Sequence, residues 1–252
     1  MEKLSVVILT FNEARNIKRC IESVLAVADE IVVVDSYSTD STPEICHALD
    51  VRFFQHPFEG YIEQKNYATG LSQYDYILSL DADEALSEKL KQAILEAKRE
   101  WKYDGYKMNR LTNYCGKWIH HSGWYPDTKL RLFNKSKGMW AGVNPHDKVQ
   151  LHAGAITTSL VGDLHHYSYY TFEEHKAQII KFAKISASAL YKQGVRSHPA
   201  KIIYKPIARF LRSYVVKTGF MDGKAGWTIA RMTAWASFLR YTQLYKIQRK
   251  SL

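Results

Sequence analysis

The feature that most constrains the fold is a series of four short apolar segments near the start of the chain. They cover residues 4–10, 30–35, 51–55 and 76–80, and they are rich in β-branched, leucine and aromatic residues. Strands that are apolar along their length are typical of parallel sheets, which are buried on both faces. Segments with helical periodicity separate the four strands. We therefore predict an α/β fold with a mostly parallel sheet and helices on both faces.

Three of these segments end in a polar, acidic cluster, at residues 10–13, 35–40 and 81–84. The carboxyl ends of parallel strands meet at one edge of a sheet, which is where open α/β folds bind ligands. Within the third cluster, Asp81 and Asp83 lie two residues apart and point the same way in extended chain. Such a pair suits a divalent cation that carries phosphates. The alternative is an acidic turn that caps the next helix.

Four motifs at these spacings resemble a known enzyme family. They are Thr10-Phe-Asn-Glu13, Asp35-Ser-Tyr-Ser-Thr-Asp-Ser-Thr42, Gln64-Lys-Asn-Tyr-Ala68 and Asp81-Ala-Asp-Glu84. Together they resemble the inverting nucleotide-sugar glycosyltransferases of the GT-A fold, glycosyltransferase family 2. Residues 122–135 and the pair His166-Tyr167 resemble the branch that contains the β-1,4-glucosyltransferases of lipopolysaccharide core assembly. The resemblance covers residues 3–175 well and the C-terminal third more loosely.

The resemblance implies a binding site for a UDP-sugar donor. Glu13 and Asp35 are expected to accept hydrogen bonds from the ribose and a pyrimidine N–H, and the backbone of Thr10 and Phe11 lines the pocket. For Glu13 the alternative is an acid in the first turn of a helix. Lys65 would meet a phosphate or the pyrimidine, unless it is a solvated helix lysine. The expected donor-binding residues are Thr10, Phe11, Asn12, Glu13, Asp35, Lys65, Asp81, Ala82 and Arg131.

The resemblance also implies a divalent metal cofactor, manganese or magnesium. Asp83 is expected to hold the metal, and Asp81 to bind either the metal or the ribose. The metal would act as a Lewis acid that stabilises the departing diphosphate. His166 is expected to be a third ligand, as a histidine is in several GT-A enzymes. The alternative is that His165 and His166 are successive strand residues with hydrogen-bonded imidazoles.

Two carboxylates, Asp147 and Asp127, compete for the role of the catalytic base that takes the proton of the acceptor hydroxyl. In the wider superfamily an arginine-bearing strand precedes an acidic pair whose second member is the base. Arg131 followed by His146-Asp147 matches this order, although the related branch usually carries Glu after this His. Asp127 lies in a Tyr-Pro-Asp-Thr stretch, where a turn favours Asp. We expect Asp147 to be the base.

The net charge of +10 is concentrated at the C-terminal end of the chain. Residues 175–252 contain 16 Lys and Arg and one acidic residue, whereas residues 1–174 contain 19 basic and 24 acidic residues. Aromatic and aliphatic residues are interleaved with the basic ones on segments of helical periodicity. Basic amphipathic helices of this kind indicate a protein that lies on an anionic membrane. A solvated helical face is the alternative, and nucleic acid is not an expected partner because the acidic N-terminal part indicates another substrate.

These patterns predict a division into a catalytic domain and a helical extension. Residues 1–170 are the predicted GT-A domain, with a donor-binding half of about 1–100 and an acceptor half of about 101–170. Residues 171–252 are the predicted basic helical extension, which binds the membrane and the acceptor. It opens with a capping box from Thr171 to Glu174.

The cysteines and the N-terminus indicate the compartment. Three widely spaced cysteines, Cys20, Cys46 and Cys115, fit neither a disulfide framework nor a zinc site, so we expect a reducing cytosol. The chain runs directly into its first strand, which leaves no room for a secretory signal. No uninterrupted apolar run reaches the roughly 18 residues of a membrane span. We predict a protein of the cytoplasm that is peripheral on the inner face of the cytoplasmic membrane.

Taken together, the sequence predicts an inverting transferase that moves a hexose, with glucose the first choice, from a UDP-sugar to a lipid-linked saccharide such as the lipopolysaccharide inner core. A sugar-nucleotide nucleotidyltransferase would share the sheet and the carboxylates, but it needs a glycine-rich loop after its first strand. That position holds Thr10-Phe-Asn-Glu13, which has no glycine. A non-catalytic membrane scaffold would need the basic segment but no aligned carboxylates. No pattern indicates an oligomeric state.

Overall fold

The structure, a computed structural model, describes residues 3–144 and 146–250, with the side chains of His146 and Lys250 outside the description. The chain forms two compact units. The first comprises Met1–Arg110 and Asp127–Tyr167, and the second comprises Leu111–Pro126 and Ser168–Leu252. The sequence-based division places its boundary at residue 170 and assigns 111–126 to the catalytic part, whereas the compact units group this segment with the C-terminal helices.

The secondary structure consists of eleven strands and seven α-helices within the described ranges. The strands are β1 (Leu4–Thr10), β2 (Glu30–Asp35), β3 (Arg52–Gln55), β4 (Tyr76–Asp81), β5 (Glu84–Leu86), β6 (Gly105–Tyr114), β7 (Lys117–Ile119), β8 (Asp127–Asn134), β9 (Gly138–Val143), β10 (His146–Leu151) and β11 (Thr157–Tyr169). The helices are α1 (Ile17–Val24), α2 (Thr42–Ala48), α3 (Tyr61–Gly70), α4 (Glu88–Arg99), α5 (Phe172–Lys192), α6 (Pro199–Leu211) and α7 (Gly223–Lys250). A π-helical turn over Arg212–Val216 and a 3-10 turn over Gly219–Asp222 connect α6 to α7.

The main sheet of the first unit has the strand order β3-β2-β1-β4-β8-β6-β11-β5. Strand β1 pairs in parallel with β2 and β4, and β2 pairs in parallel with β3. Strands β8 and β6 extend the sheet with antiparallel pairs, and β11 pairs antiparallel with β5. Strands β9 and β10 form a separate antiparallel ladder. The predicted α/β fold class is confirmed, with the four parallel strands at the positions that the apolar segments indicated.

Alternating side chains of β1 bury both faces of the sheet. Val6 and Ile8 belong to one core cluster, which includes Ile21 of α1. Val7 belongs to the opposite cluster, which includes Ala68 of α3. Fully burying an aliphatic side chain of this size contributes about 1.5–3 kcal/mol, so helices on both faces stabilise the central strands.

The register of the parallel strands brings the polar clusters to one edge of the sheet. Thr10, the last residue of β1, lies opposite Asp35, the last residue of β2. On the other side of β1, Leu9 lies opposite Asp81, and the backbone N–H of Ala82 donates to the Leu9 carbonyl. The three strand ends therefore form a continuous rim.

The second unit contains the three long helices of the C-terminal segment. Helix α5 begins with the predicted capping box, in which Thr171 and Glu174 exchange side-chain-to-backbone hydrogen bonds. Pro206 lies inside α6 without ending it, and α6 has no buried residue. Across residues 3–144 and 146–250, we find no helix with the length and apolar character needed to cross a membrane.

Candidate active site

Asp81 lies at the carboxyl end of β4 between two cationic side chains. Its Oδ2 accepts a hydrogen bond of 2.8 Å from Arg131 Nη2, and its Oδ1 lies 3.5 Å from Lys65 Nζ. Removal from water raises the pKa of Asp81, but the charges of Arg131 and Lys65 outweigh this and hold that pKa well below its usual range. Asp81 is therefore ionised at neutral pH, and the positive charges of Arg131 and Lys65 compensate its negative charge.

Arg131, on β8, also contacts Glu84, which begins β5 and is fully buried. Arg131 Nη2 lies 3.0 Å from Glu84 Oε1, and Glu84 Oε2 accepts the backbone N–H of Asp81. Arg110 Nη1 lies 3.4 Å from the same Glu84 oxygen. Burial lowers the pKa of Arg131, but the carboxylates of Glu84 and Asp81 outweigh it and raise that pKa. This ion-pair network fixes the turn that carries Asp81 and Asp83.

Lys65, from α3, contacts the favoured base candidate on β10. Its Nζ lies 2.7 Å from Asp147 Oδ2 and 4.4 Å from the centre of the Trp140 ring. The side chain of Lys65 is buried, which is not the environment of a solvated helix lysine. Among the described residues, Asp147 Oδ1 has no hydrogen-bond or ion-pair partner. One carboxylate oxygen thus stays available while its neighbour is held.

The other base candidate, Asp127, has both oxygens in ion pairs. Arg110 Nε and Nη2 donate to Oδ2 at 3.0 and 2.8 Å, and Lys129 Nζ lies 2.9 Å from Oδ1. Partial burial raises the pKa of Asp127, but Lys129 and Arg110 outweigh it and lower that pKa below its usual value. A carboxylate held in this way is a weak proton acceptor, so the contacts favour Asp147 as the base.

Asp83, in the turn between β4 and β5, lies next to His166 of β11. His166 Nε2 lies 3.1 Å from Asp83 Oδ2, and the Tyr167 backbone N–H donates to the Asp83 carbonyl. Within the described parts of the chain, no three His, Cys, Asp or Glu side chains are grouped as a metal site. The carboxylate of Asp83 is the kind of oxygen ligand that Mn²⁺ and Mg²⁺ prefer, and substrate phosphates would supply further oxygen ligands.

The loops after β1 and β2 bind each other. The Asn12 backbone N–H donates to Ser38 Oγ at 2.7 Å, and Asp40 Oδ2 accepts the N–H of Ala14. Asp40 therefore connects the loop after β2 to the loop after β1 by a hydrogen bond. Asp35 is fully buried, and its oxygens accept hydrogen bonds from Ser38 and Gln55. The predicted nucleotide pocket therefore has walls that are fixed before a ligand arrives.

Glu13 and Phe11 are two residues of this rim with side chains that remain at least partly exposed. Glu13 precedes α1 and accepts a hydrogen bond of 2.7 Å from Asn16 Nδ2, so it is not a first-turn acid of the helix. Removal from water raises the pKa of Glu13, and the neighbouring charges of Asp83 and Asp40 act in the same direction. Phe11 is exposed, with a flat ring at the rim.

The structure therefore gathers most of the predicted site residues at one edge of the sheet. Lys65, Asp81, Arg131 and Asp147 form one ion-pair network, and Asp83 with His166 lies beside it. Three further contributors were not among the predicted site residues: Glu84, Arg110 and Trp140. Glu84 ends the Asp81-Ala-Asp-Glu84 motif, which is a signal for its role. Arg110 and Trp140 contribute through contacts between distant parts of the chain, and no local pattern marks them.

Several known proteins are similar to this chain. A family model described as Glycosyl transferase family 2 matches residues 5–157. An uncharacterised glycosyltransferase of Rickettsia felis is 32% identical over 267 residues, which cover 100% of this chain and 92% of that protein. The lipopolysaccharide core biosynthesis glycosyltransferase LpsC of Rhizobium meliloti is 28% identical over 257 residues, which cover 96% of this chain and 92% of LpsC.

Two solved structures are also similar to this chain. Staphylococcus aureus TarS 1-349 in complex with UDP-GlcNAc has 16% identity and a TM-score of 0.47, with 99% of this chain and 92% of TarS covered. Glucosyl-3-phosphoglycerate synthase from Mycobacterium tuberculosis, in complex with Mn2+, UDP and its product, has 22% identity and a TM-score of 0.37 over 46% of this chain and 45% of that chain.

Proposed function

Because the chain belongs to glycosyl transferase family 2, we propose that it moves a hexose, with glucose the first choice, from a UDP-sugar to a lipid-linked saccharide. The predicted enzyme class, a glycosyltransferase, and the predicted GT-A α/β fold class are both confirmed. The nucleotidyltransferase and scaffold alternatives are therefore excluded. The observation that supports the proposed transfer chemistry is the placement of Lys65 between Asp81 and Asp147. This lysine joins the end of β4 to the candidate base.

In this proposal the cations neutralise the donor diphosphate. Lys65 and Arg131 are both buried beside Asp81, and a buried cation attracts phosphate oxygens more strongly than an exposed one does. Asp81 already has two cationic partners, so we assign it to the ribose rather than to a metal. Glu13 is assigned to the ribose or the pyrimidine, within a pocket lined by residues 10–13. Asp35 is buried with its oxygens on Ser38 and Gln55, so we assign it to holding the wall of that pocket.

We assign the metal to Asp83 and His166. Their side chains supply an oxygen and a nitrogen 3.1 Å apart, and the diphosphate would supply further ligands. When bound, Mn²⁺ or Mg²⁺ supplies positive charge that stabilises the leaving UDP. The contacts of Asp81 with Arg131 and Lys65 leave it a poorer ligand, so the proposed protein set has two members.

The proposed transfer step is a single displacement. The acceptor oxygen attacks the anomeric carbon, the bond from that carbon to the β-phosphate oxygen breaks, and UDP leaves with the electron pair. Asp147 Oδ1 takes the proton of the acceptor hydroxyl, while Oδ2 stays on Lys65. Attack from the face opposite the diphosphate inverts the configuration at the anomeric carbon.

The acceptor class rests on the relatives and on the C-terminal charge. LpsC is a lipopolysaccharide core biosynthesis glycosyltransferase, which supports an acceptor such as the lipopolysaccharide inner core. The 16 basic residues of 175–252 support contact with an anionic bilayer, and no nucleic acid is needed to explain them. The three cysteines are free thiols, which agrees with a place on the cytoplasmic face of the inner membrane.

A donor panel tests the proposal directly. Purified protein is incubated with UDP-, GDP- and dTDP-sugars, with and without Mn²⁺, and thermal shift and nucleotide release are recorded with a lipopolysaccharide-core acceptor. We expect UDP-glucose with Mn²⁺ to give the largest stabilisation and acceptor-dependent release of UDP. The Asp147→Asn variant is the matched control, because it should bind the donor and release UDP about 10²–10⁴ times more slowly. Stabilisation by GDP- or dTDP-sugars alone would overturn the donor assignment.

A further inference from the structure

A cavity of about 780 Å³ lies among α5, α6 and α7 of the second unit. Of its eleven lining residues, eight are apolar, and the largest of these include Phe172, Phe210 and Trp235. This volume is within the range of small-molecule binding sites, about 300–1,000 Å³. Removing an apolar wall of this extent from water is favourable, so the cavity suits a ligand with a hydrocarbon part.

The polar part of the lining has a single sign of charge. Lys176 of α5 and Arg231 of α7 line the cavity, and no acidic residue does. Within the described residues, neither cation has an ion-pair partner. The only acid in residues 175–252, Asp222, is buried and accepts hydrogen bonds from the backbone and ring of His121. A ligand for this cavity therefore needs an anionic group beside its hydrocarbon part.

Helix α6 connects the cavity with an exposed apolar stripe. Ile203, Ile207 and Leu211 repeat every four residues, which places them on one face of the helix, and all three are at least half exposed. Ile207 and Leu211 also line the cavity. Exposed aliphatic residues in a row with no protein cover mark a contact site for an apolar surface. A hydrocarbon chain could pass from that surface into the cavity along α6.

We propose that this cavity holds one acyl chain of an anionic membrane phospholipid, with the lipid phosphate on Lys176 and Arg231. The inference rests on the membrane contact in the proposed function and makes it specific, because one lipid molecule is bound at a defined site. The apolar wall selects the chain, and the two cations select a headgroup with net negative charge. A general attraction between basic helices and the bilayer would need neither the cavity nor these two residues.

Monomeric lipid tests binding at the site in the absence of a bilayer. Full-length protein is titrated by calorimetry with dioctanoyl phosphatidylglycerol below its micelle concentration, and with dioctanoyl phosphatidylcholine and octanoate. We expect saturable binding of one phosphatidylglycerol per chain and weaker binding of the other two. The double variant Lys176→Gln/Arg231→Gln should bind at least about tenfold more weakly, since it removes both charge-assisted hydrogen bonds to the phosphate.

Two matched controls make the result specific. Lys181→Gln/Lys246→Gln removes the same charge from exposed positions of α5 and α7 outside the cavity, and it should bind phosphatidylglycerol as the unmodified chain does. Thr228→Trp fills the cavity, whereas Thr233→Trp adds the same ring to α7 outside this lining. Only Thr228→Trp should lose monomeric lipid, and circular dichroism confirms that each variant is folded.

Each other outcome overturns the site. Absence of saturable binding, equal weakening by the control pair, or octanoate binding as tightly as phosphatidylglycerol would each exclude a phospholipid site. Cosedimentation with anionic vesicles and release of UDP from UDP-sugars are measured on the same samples. If vesicle binding persists without monomeric binding, the membrane contact stands and the lipid site fails. If vesicle binding or UDP release is itself missing, the proposed function fails instead.

Discussion

Lys65 Nζ lies 2.7 Å from Asp147 Oδ2, in a pair that is almost fully removed from water. The same nitrogen is 3.5 Å from Asp81 Oδ1, so one lysine serves two carboxylates. A donor diphosphate that enters beside Asp81 brings negative charge to this nitrogen. We infer that donor binding and the orientation of the base are linked through Lys65, because the lysine cannot shift toward a phosphate without changing its contact with Asp147.

The first prediction concerns the base. Asp147→Asn keeps the shape of the side chain and a contact with Lys65 but cannot accept a proton at neutral pH. The turnover number should fall by about 10²–10⁴, the usual scale for loss of a general base. The Michaelis constant for the UDP-sugar should change little, since the donor contacts remain. Steady-state kinetics of UDP release, with donor and acceptor varied separately, measure both quantities.

Asp127→Asn is the matched control, because it removes the same charge from the other candidate. Its oxygens are already held by Arg110 and Lys129, so we expect a modest effect on turnover. An active Asp147→Asn variant together with an inactive Asp127→Asn variant would reverse the assignment of the base.

The second prediction concerns the metal pair. Asp83→Asn and His166→Gln should each abolish the Mn²⁺-dependent part of UDP binding, measured by calorimetry with and without Mn²⁺. His165 is the neighbouring strand residue and points to the opposite face, so His165→Gln should leave Mn²⁺-dependent UDP binding unchanged. Full transfer activity in the presence of EDTA would exclude a metal role for Asp83 and His166.

The third prediction concerns the stability of the site. Arg131→Met leaves the carboxylates of Glu84 and Asp81 without their main partner inside the first unit. Breaking a buried ion pair by removing one partner costs about 3–5 kcal/mol, so the free energy of unfolding should fall by that order. Urea denaturation followed by circular dichroism measures it. Arg110→Met should cost less, because its partner Asp127 is more exposed and keeps Lys129; an equal loss would show that the Arg131 contacts are not special.

The first half of the fold was predictable because its signals are local. Four apolar segments and the polar clusters after them specify the parallel strands and the edge where the site forms. Helix ends are less well specified. Leu25, an apolar residue directly after the end of α1 at Val24, is 56% exposed, whereas Val27 two residues further on is fully buried.

The contacts that complete the site depend on distant parts of the chain. Residues 105–169 contain the strands β6 to β11, and the antiparallel pairs β4–β8, β6–β8 and β5–β11 join segments that lie far apart in the sequence. Arg131 and Asp147 were expected in the site from the family resemblance. Burial of Lys65 against Trp140, however, follows from the pairing of β9 with β10 and the packing of α3, which no motif encodes.

The fourth prediction concerns pH and the second unit. His175 is buried, and its Nδ1 lies 3.0 Å from the Tyr114 hydroxyl. Burial lowers the pKa of His175 to about 4, below its ordinary value of about 6.5. The unfolded chain therefore takes up a proton at this residue first as the pH falls. The stability that the neutral ring contributes is complete above about pH 6.5 and is lost progressively between about pH 6.5 and pH 4.

Replacing His175 tests that sign. In His175→Gln, the slope of unfolding free energy against pH between 6.5 and 4 should decrease by about one proton. His198→Gln is the matched control, because it makes the same substitution at an exposed histidine of the second unit. Chemical denaturation at half-unit pH steps gives the slopes, and identical slopes for the His175 variant and the unmodified chain would contradict the assignment.

The last prediction concerns the basic helices. Each Lys or Arg near an anionic bilayer contributes on the order of 1 kcal/mol, and salt weakens the attraction. Protein should cosediment with anionic vesicles at low salt, bind neutral vesicles poorly and be released by raised ionic strength. A quadruple Gln variant of α6 and the turn after it should bind anionic vesicles roughly tenfold more weakly or worse. The four replaced residues are Lys201, Lys205, Arg209 and Arg212.

A control variant with the same net charge tests whether vesicle binding depends on the basic helices or on net charge alone. Four exposed lysines of the first unit, Lys18, Lys89, Lys102 and Lys107, are replaced by Gln in one chain. This variant has the same net charge as the α6 variant but keeps the basic helices, so it should retain most vesicle binding. The α6 variant should lose activity on a lipid-embedded acceptor and keep activity on a soluble acceptor fragment, because the donor-site residues all belong to the first unit. Equal loss of vesicle binding in both variants would show that vesicle binding depends on net charge alone. The basic helices would then be an ordinary solvated face.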